Sequence, residues 1–158
     1  MHLLPLFEAA EASALGQAVR QSLWLFPVIE AVHLLGLCVL GGAVLMVDLR
    51  LLGVGLRSAP TAQVARDARP WFLGALLVML VTGAALFASE AIKCYYNTSF
   101  WVKIATLPAA VVMTLAVRDR VALRAAADPT AATRLAGLAS MALWLVVAAA
   151  GRWIGFSS

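Results

Sequence analysis

The stretch PVIEAVHLLGLCVLGGAVLMV, residues 27–47, decides the fold. At ~1.5 Å per residue it crosses the ~30 Å hydrocarbon core of a bilayer as a single helix. Three further stretches share its length class and composition: 71–89, 100–117 and 135–154. Unpaired backbone groups are too costly in lipid, so all four are expected to be helices; their length and lack of strict alternation exclude barrel strands. Short connections make sequential neighbours antiparallel. The expected architecture is one membrane domain over residues 1–158, an all-α, integral membrane four-helix bundle preceded by an interfacial helical segment at 1–24.

The rest of the chain agrees. Of the 158 residues 63% are hydrophobic and 13% charged, and mean hydropathy is +0.93. A water-soluble globule of that size cannot hide so much apolar surface. The net charge of +4 and pI of 9.7 do not make a nucleic-acid binder of such a chain, and no nucleic-acid partner is expected. Cys38 and Cys94 form no C-x-x-C pair or disulfide framework. The first twenty residues lack a basic n-region, and Glu8 and Glu11 interrupt any apolar core, so no cleavable signal peptide is expected. No Ser/His/Asp set, H-E-x-x-H, phosphate loop or carboxylate pair supports hydrolytic or phosphoryl-transfer chemistry.

Orientation follows from the basic residues. Arg50, Arg57, Arg66 and Arg69 lie between spans one and two, and Arg118, Arg120, Arg124 and Arg134 between three and four. Only Arg20, Lys93, Lys103 and Arg152 lie at the opposite side, so both termini are expected in the periplasm of a bacterial inner membrane. Trp24, Tyr95, Tyr96, Trp101 and Trp153 then form an aromatic belt there. Pro27 and Pro70 read as span starts, Asp128-Pro129 as an N-cap with an N1 proline, and Pro108 as a kink in span three. Residues 2–24 carry a weak amphipathic pattern suited to the interface.

Ionisable residues inside a span cost ~2.5–3.5 kcal/mol each at its centre and need a reason to be there. At 100° per residue Glu30, His33, Leu37, Gly41, Val44 and Asp48 fall on one stripe, which is expected to face the bundle. Glu30 sits ~5 Å and His33 ~9 Å below the periplasmic boundary. Lys103 enters span three and Arg152 leaves span four at the same side. The four make a polar layer suited to a redox cofactor or small anionic ligand: a carboxylate, haem propionates or a quinone carbonyl. Equally, they could simply fasten helices together, since interhelical hydrogen bonds commonly do so at ~0.6 kcal/mol each.

Haem b would use His33 as the axial metal ligand and would need a second one: Met79, His2, or another His33 across a homo-oligomer. The soft ligands Cys38, Met46, Met79, Met113 and Met141 form no copper-type cluster. Asp48-Leu-Arg50 and Arg118-Asp-Arg120 close the cytoplasmic ends of spans one and three. They read chiefly as orientation determinants and lipid head-group contacts, with crossed salt bridges as the alternative.

Glu30-Ala-Val-His33-Leu-Leu-Gly36, Asp48-Leu-Arg50-Leu-Leu-Gly53, Pro70-Trp71, Thr82-Gly83 with Phe87, and Phe100-Trp101-Val-Lys103 together resemble an uncharacterised bacterial family of small four-helix inner-membrane proteins, over nearly the whole chain. The resemblance implies the bundle and no particular activity. More distantly, the chain is similar to the membrane domains of copper-resistance D-type proteins and to small b-type cytochromes, whose second intramembrane histidine it lacks. The expected function is a non-enzymatic subunit of a larger membrane complex, or a homo-oligomer, embedded in the lipid bilayer and carrying this pocket. A purely structural or assembly subunit is the second reading, and a metal or small-solute transport component the third.

Overall fold

The computed structural model describes residues 3–125 and 129–156. Two short helices, α1 (Leu4–Glu11) and α2 (Ala14–Gln21), precede α3 (Leu25–Leu52) and α4 (Thr61–Ser89). A short α5 (Ala91–Tyr96) leads into one long run made of α6 (Thr98–Val112), a π-helical segment (Met113–Arg118) and α7 (Asp119–Arg124); α8 (Ala131–Ile154) closes the chain. The runs Leu25–Leu52, Thr61–Ser89, Thr98–Arg124 and Ala131–Ile154 are each long and apolar enough to cross a membrane. Among the described residues there is no strand. The chain is an all-α, multi-pass membrane bundle. Leu23, Trp24, Leu35, Leu77, Leu135 and Leu145 stand exposed on its outside, as a surface solvated by lipid requires.

The long helices pack in a ring, α3 against α4 and α8, and α8 against α6. The α4–α6 seam is the sparsest. It is bridged at the loop end, where the 53–60 connection lies, by α7 packing on α4. At the terminal end Phe87 of α4 stacks on Phe100 of α6 with ring centroids 5.5 Å apart, and Phe7 of α1 sets its edge against both. Two of the five expected aromatic-belt residues join this plug. Tyr95 and Trp101 pack on Phe7, and the Trp101 indole N–H donates to the Tyr95 carbonyl at 2.9 Å, while Trp24, Tyr96 and Trp153 stay exposed.

Several boundaries differ from expectation. Pro70 lies inside α4 rather than starting it, because 61–69 is itself amphipathic: Val64, Ala65 and Ala68 are buried in line with Phe72 and Ala75, while Arg66, Asp67 and Arg69 face out. The bond lost at Pro70 would have gone to the carbonyl of exposed Arg66, where water can replace it. Thr130, not Asp128, caps α8, its hydroxyl accepting from the Thr133 N–H; Asp128 lies outside the described residues. The run through Pro108 stays helical and widens into the π segment five residues later. The N-terminal segment is two helices, broken at Ser13, whose hydroxyl caps α2 by accepting from the Gly16 N–H at 3.1 Å. They fold over α4 and α5, and Val19 is buried there.

Gly16 is where α2 meets the bundle. A Cβ there would stand 2.5 Å from the Ala88 carbonyl oxygen and under 3 Å from those of Glu11 and Ala10, all backbone. Gly42, by contrast, has open space around it. A helical Gly→Ala change ordinarily stabilises by about 0.4–1 kcal/mol. Gly42→Ala is expected to follow that rule, whereas Gly16→Ala should destabilise by roughly 1–3 kcal/mol through overpacking, as read by thermal unfolding in detergent.

Candidate functional site

Polar side chains gather in two layers, one near each end of the bundle. In the terminal-end layer, His33 of α3 meets α4, its Nδ1 2.8 Å from the Thr82 hydroxyl. That hydroxyl has one proton and gives it to the Val78 carbonyl at 2.6 Å. The bond to His33 therefore runs from Nδ1–H to the hydroxyl oxygen, and in the neutral imidazole Nε2 keeps a bare lone pair. Gly83 makes room for the ring: a Cβ there would sit 3.3 Å from Cε1. One turn nearer the loop end, Met79 packs on Gly36. The Thr82–His33 register thus puts Met79 about 4.5 Å along the axis from His33, closer than equal counting from the two membrane faces suggests.

Lys103 of α6 lies against α8, where a Cβ on Gly151 would be 3.3 Å from its Nζ, and it stands within electrostatic range of both His33 and Cys94. No acidic partner reaches it among the described residues. Burial, reinforced by the Glu90 carboxylate, pushes the Cys94 thiol up to about 11, so it stays protonated near neutral pH. Glu30 and Arg152 go elsewhere. Glu30 is exposed on the outer face of α3, and Arg152 is exposed with its guanidinium 4.2 Å from the centroid of the Phe156 ring. The structure thus leaves His33 on α3 and Lys103 on α6 within electrostatic range of one another, and Glu30 and Arg152 at the rim. The stripe from Glu30 to Asp48 is graded accordingly, exposed at Glu30, half-buried at His33, Leu37 and Gly41, and buried at Val44 and Asp48. His2 lies outside the described residues. Among those described, no three His, Cys, Asp or Glu side chains gather as metal ligands, so a metal at His33 would draw its other ligands from elsewhere.

The loop-end layer is fully enclosed. Asp48 of α3 is 0% exposed, Arg118 of the π segment 2%, Asp119 of α7 5% and Ser140 of α8 0%. Arg118 Nε and Nη2 both donate to one oxygen of Asp119, at 3.2 and 2.9 Å. Its Nη1 lies 3.5 Å from an Asp48 oxygen, and its guanidinium carbon 5.9 Å from the Phe72 ring centroid. One turn up, the Trp144 indole N–H donates to the Thr114 hydroxyl at 2.8 Å, and Thr114 passes its own proton to the Ala110 carbonyl. Of the two acid–base clusters of the sequence, Asp48 and Arg118 make one crossed ion pair, in the core, while Arg50 turns to the Ala59 carbonyl and Arg120 is exposed. Sequence reading missed Ser140, Thr114 and Trp144 as its neighbours; the available signal was a hydroxyl and an indole placed i and i+4 on α8 amid small residues.

Residues 6–157 match a family of unknown function, DUF6644. The chain belongs to that family. No characterised protein and no solved structure matches it. Within this DUF6644 chain the most demanding residue is Arg118, because removing one member of a buried charge network strands the others and costs ~3–5 kcal/mol. Arg118→Met is expected to destabilise the purified protein by about that much, with the exposed Arg120→Met changing stability by no more than about 0.5 kcal/mol in the same thermal assay.

Proposed function

We propose that the chain is a non-enzymatic inner-membrane subunit whose terminal-end layer, His33 with Lys103 and the rim residues Glu30 and Arg152, takes a redox cofactor or small anionic ligand facing the periplasm. The observation that carries this reading is the pair of unfilled valences among the described residues: the bare Nε2 of His33 and the Lys103 ammonium without an acidic partner there. An acceptor nitrogen beside a cationic donor suits a group that offers both an O–H and a negative or carbonyl oxygen, as a hydroquinone–quinone couple or a carboxylic acid does. The same Nε2 is the atom that would ligate a haem iron, leaving Lys103 and Arg152 for its propionates.

Packing supports the same place. None of the described residues of α3 before Gly36, of α4 between Ala75 and Ala88, or of α6 between Phe100 and Ala110 is buried. A layer with so few buried residues, beside the sparse α4–α6 seam, is the place where a ligand would reach the bundle from the membrane. Exposed Glu30 and Arg152, at a depth where lipid offers charges nothing, favour membership of a larger complex whose other helices answer them. The His33–Thr82 bond itself favours the second reading, that the layer only fastens α3 to α4.

Gently extracted protein, air-oxidised and then reduced with dithionite, separates these readings. A Soret band that moves on reduction and disappears in His33→Ala identifies haem. A featureless spectrum with a co-extracting quinone lost in His33→Ala identifies that class. If neither cofactor is found and His33→Ala merely lowers stability by about 0.6 kcal/mol, the layer is a fastener and the redox-cofactor reading fails. Reporter fusions are expected to place the 53–60 connection in the cytoplasm and the C-terminus in the periplasm, following the basic-residue count.

A further inference from the structure

The loop-end layer poses a question of charge that the terminal-end reading does not touch. Two cations are buried at this end, Arg118 and Arg50, and only Arg118 pairs with the carboxylates, Asp119 taking two of its N–H groups on one oxygen. Asp48 then remains as a second carboxylate, wholly enclosed, with Nη1 only at 3.5 Å. Counted with both acids ionised, the cluster carries one excess negative charge. Among the described residues no other charge answers it. Arg50 is turned to the Ala59 carbonyl; Arg66, Asp67 and Arg69 of α4, Arg57 of the connection, Arg120 and Arg124 of α7 and Arg134 of α8 are all exposed. Phe72 is the face that α4 presents.

The hydrogen-bond count shows the same shortfall. Asp48 Oδ1 and Oδ2, Arg118 Nη1 and Ser140 Oγ are all buried without a partner, although the Ser140 hydroxyl faces the Asp48 carboxyl. Such groups are rare in a folded core. Gly137, where a Cβ would stand 3.1 Å from the Asp48 carbonyl oxygen, lets α8 approach α3 closely enough to bring Ser140 in.

We propose that this cluster is a proton-binding site holding one proton on Asp48. With Oδ2 protonated, its O–H donates to Ser140 Oγ while Oδ1 faces Arg118 Nη1, so one proton cancels the excess charge. An alkali cation would cancel the charge too, but would stand beside the guanidinium. The proton comes from water at the loop end, and the O–H bond formed on Asp48 is the only bond made.

Infrared spectroscopy of the full chain in lipid nanodiscs, compared between H2O and D2O, tests this. Wild type is expected to show a protonated-carboxyl C=O band near neutral pH that is lost in Asp48→Asn. Asp119→Asn removes the excess charge, so Asp48 then pairs with Arg118 as a carboxylate and the band should vanish at neutral pH. Ser140→Ala takes away the acceptor of the proton, so the band should stay but move to higher frequency; this variant keeps the test valid if Asp48→Asn does not fold. The proposal is overturned by the absence of the band in wild type, by its survival in Asp48→Asn, or by an unchanged band in Asp119→Asn or Ser140→Ala.

Discussion

Every backbone N–H and C=O inside the bilayer has to be bonded within its own helix, because hydrocarbon offers no partner, and lipid tails give apolar side chains no reason to leave them for each other. What holds the helices to one another is therefore close approach at small residues and a few polar bonds. This chain follows that rule along its length. Gly16 meets the Ala88 carbonyl, Gly36 meets Met79, Gly83 meets the His33 ring, Gly137 meets the Asp48 backbone and Gly151 meets Lys103. Each approach lets a larger or polar group on the neighbouring helix come inward.

The two ends use this differently. At the loop end the helices outrun the hydrocarbon, and their amphipathic extensions close around Phe72, Val47, Leu51 and Ala122 into a dense core with Arg118 in it. The π-helical segment is part of this arrangement. A wide turn carries adjacent Arg118 and Asp119 both into the interior, where an ordinary turn separates neighbours by about 100°. Local π turns are frequent at functional sites, and here one supplies the cation that pairs with both buried carboxylates. At the terminal end the core thins, and aromatic rings contributed by α1, α4, α5 and α6 close the bundle above it.

Residues 27–47, 71–89, 100–117 and 135–154 were enough to count the spans, because hydrophobicity summed along twenty residues is a local property that no tertiary contact reverses. The termini of those helices were less legible. Amphipathic, arginine-bearing stretches such as 61–69 read as loop when judged by hydropathy alone, and become helix because one face packs on the core. Asp48 and Glu30 lay on the same stripe of α3, yet one is enclosed and the other exposed, since the bundle tightens towards one end and periodicity carries no information about that taper.

The sequence by itself determined an all-α membrane bundle of four spans and which residues could not rest in lipid unassisted, since both follow from composition per turn of helix. Only the tertiary structure decided who assists whom. His33 found Thr82 and not Glu30; Arg118 found Asp48 across the bundle and Asp119 beside it; Arg152 turned to Phe156. A helical repeat fixes the angle between two residues of one helix, whereas the partner on the next helix depends on rotation and axial shift, and those are set by the glycines and the π turn acting together.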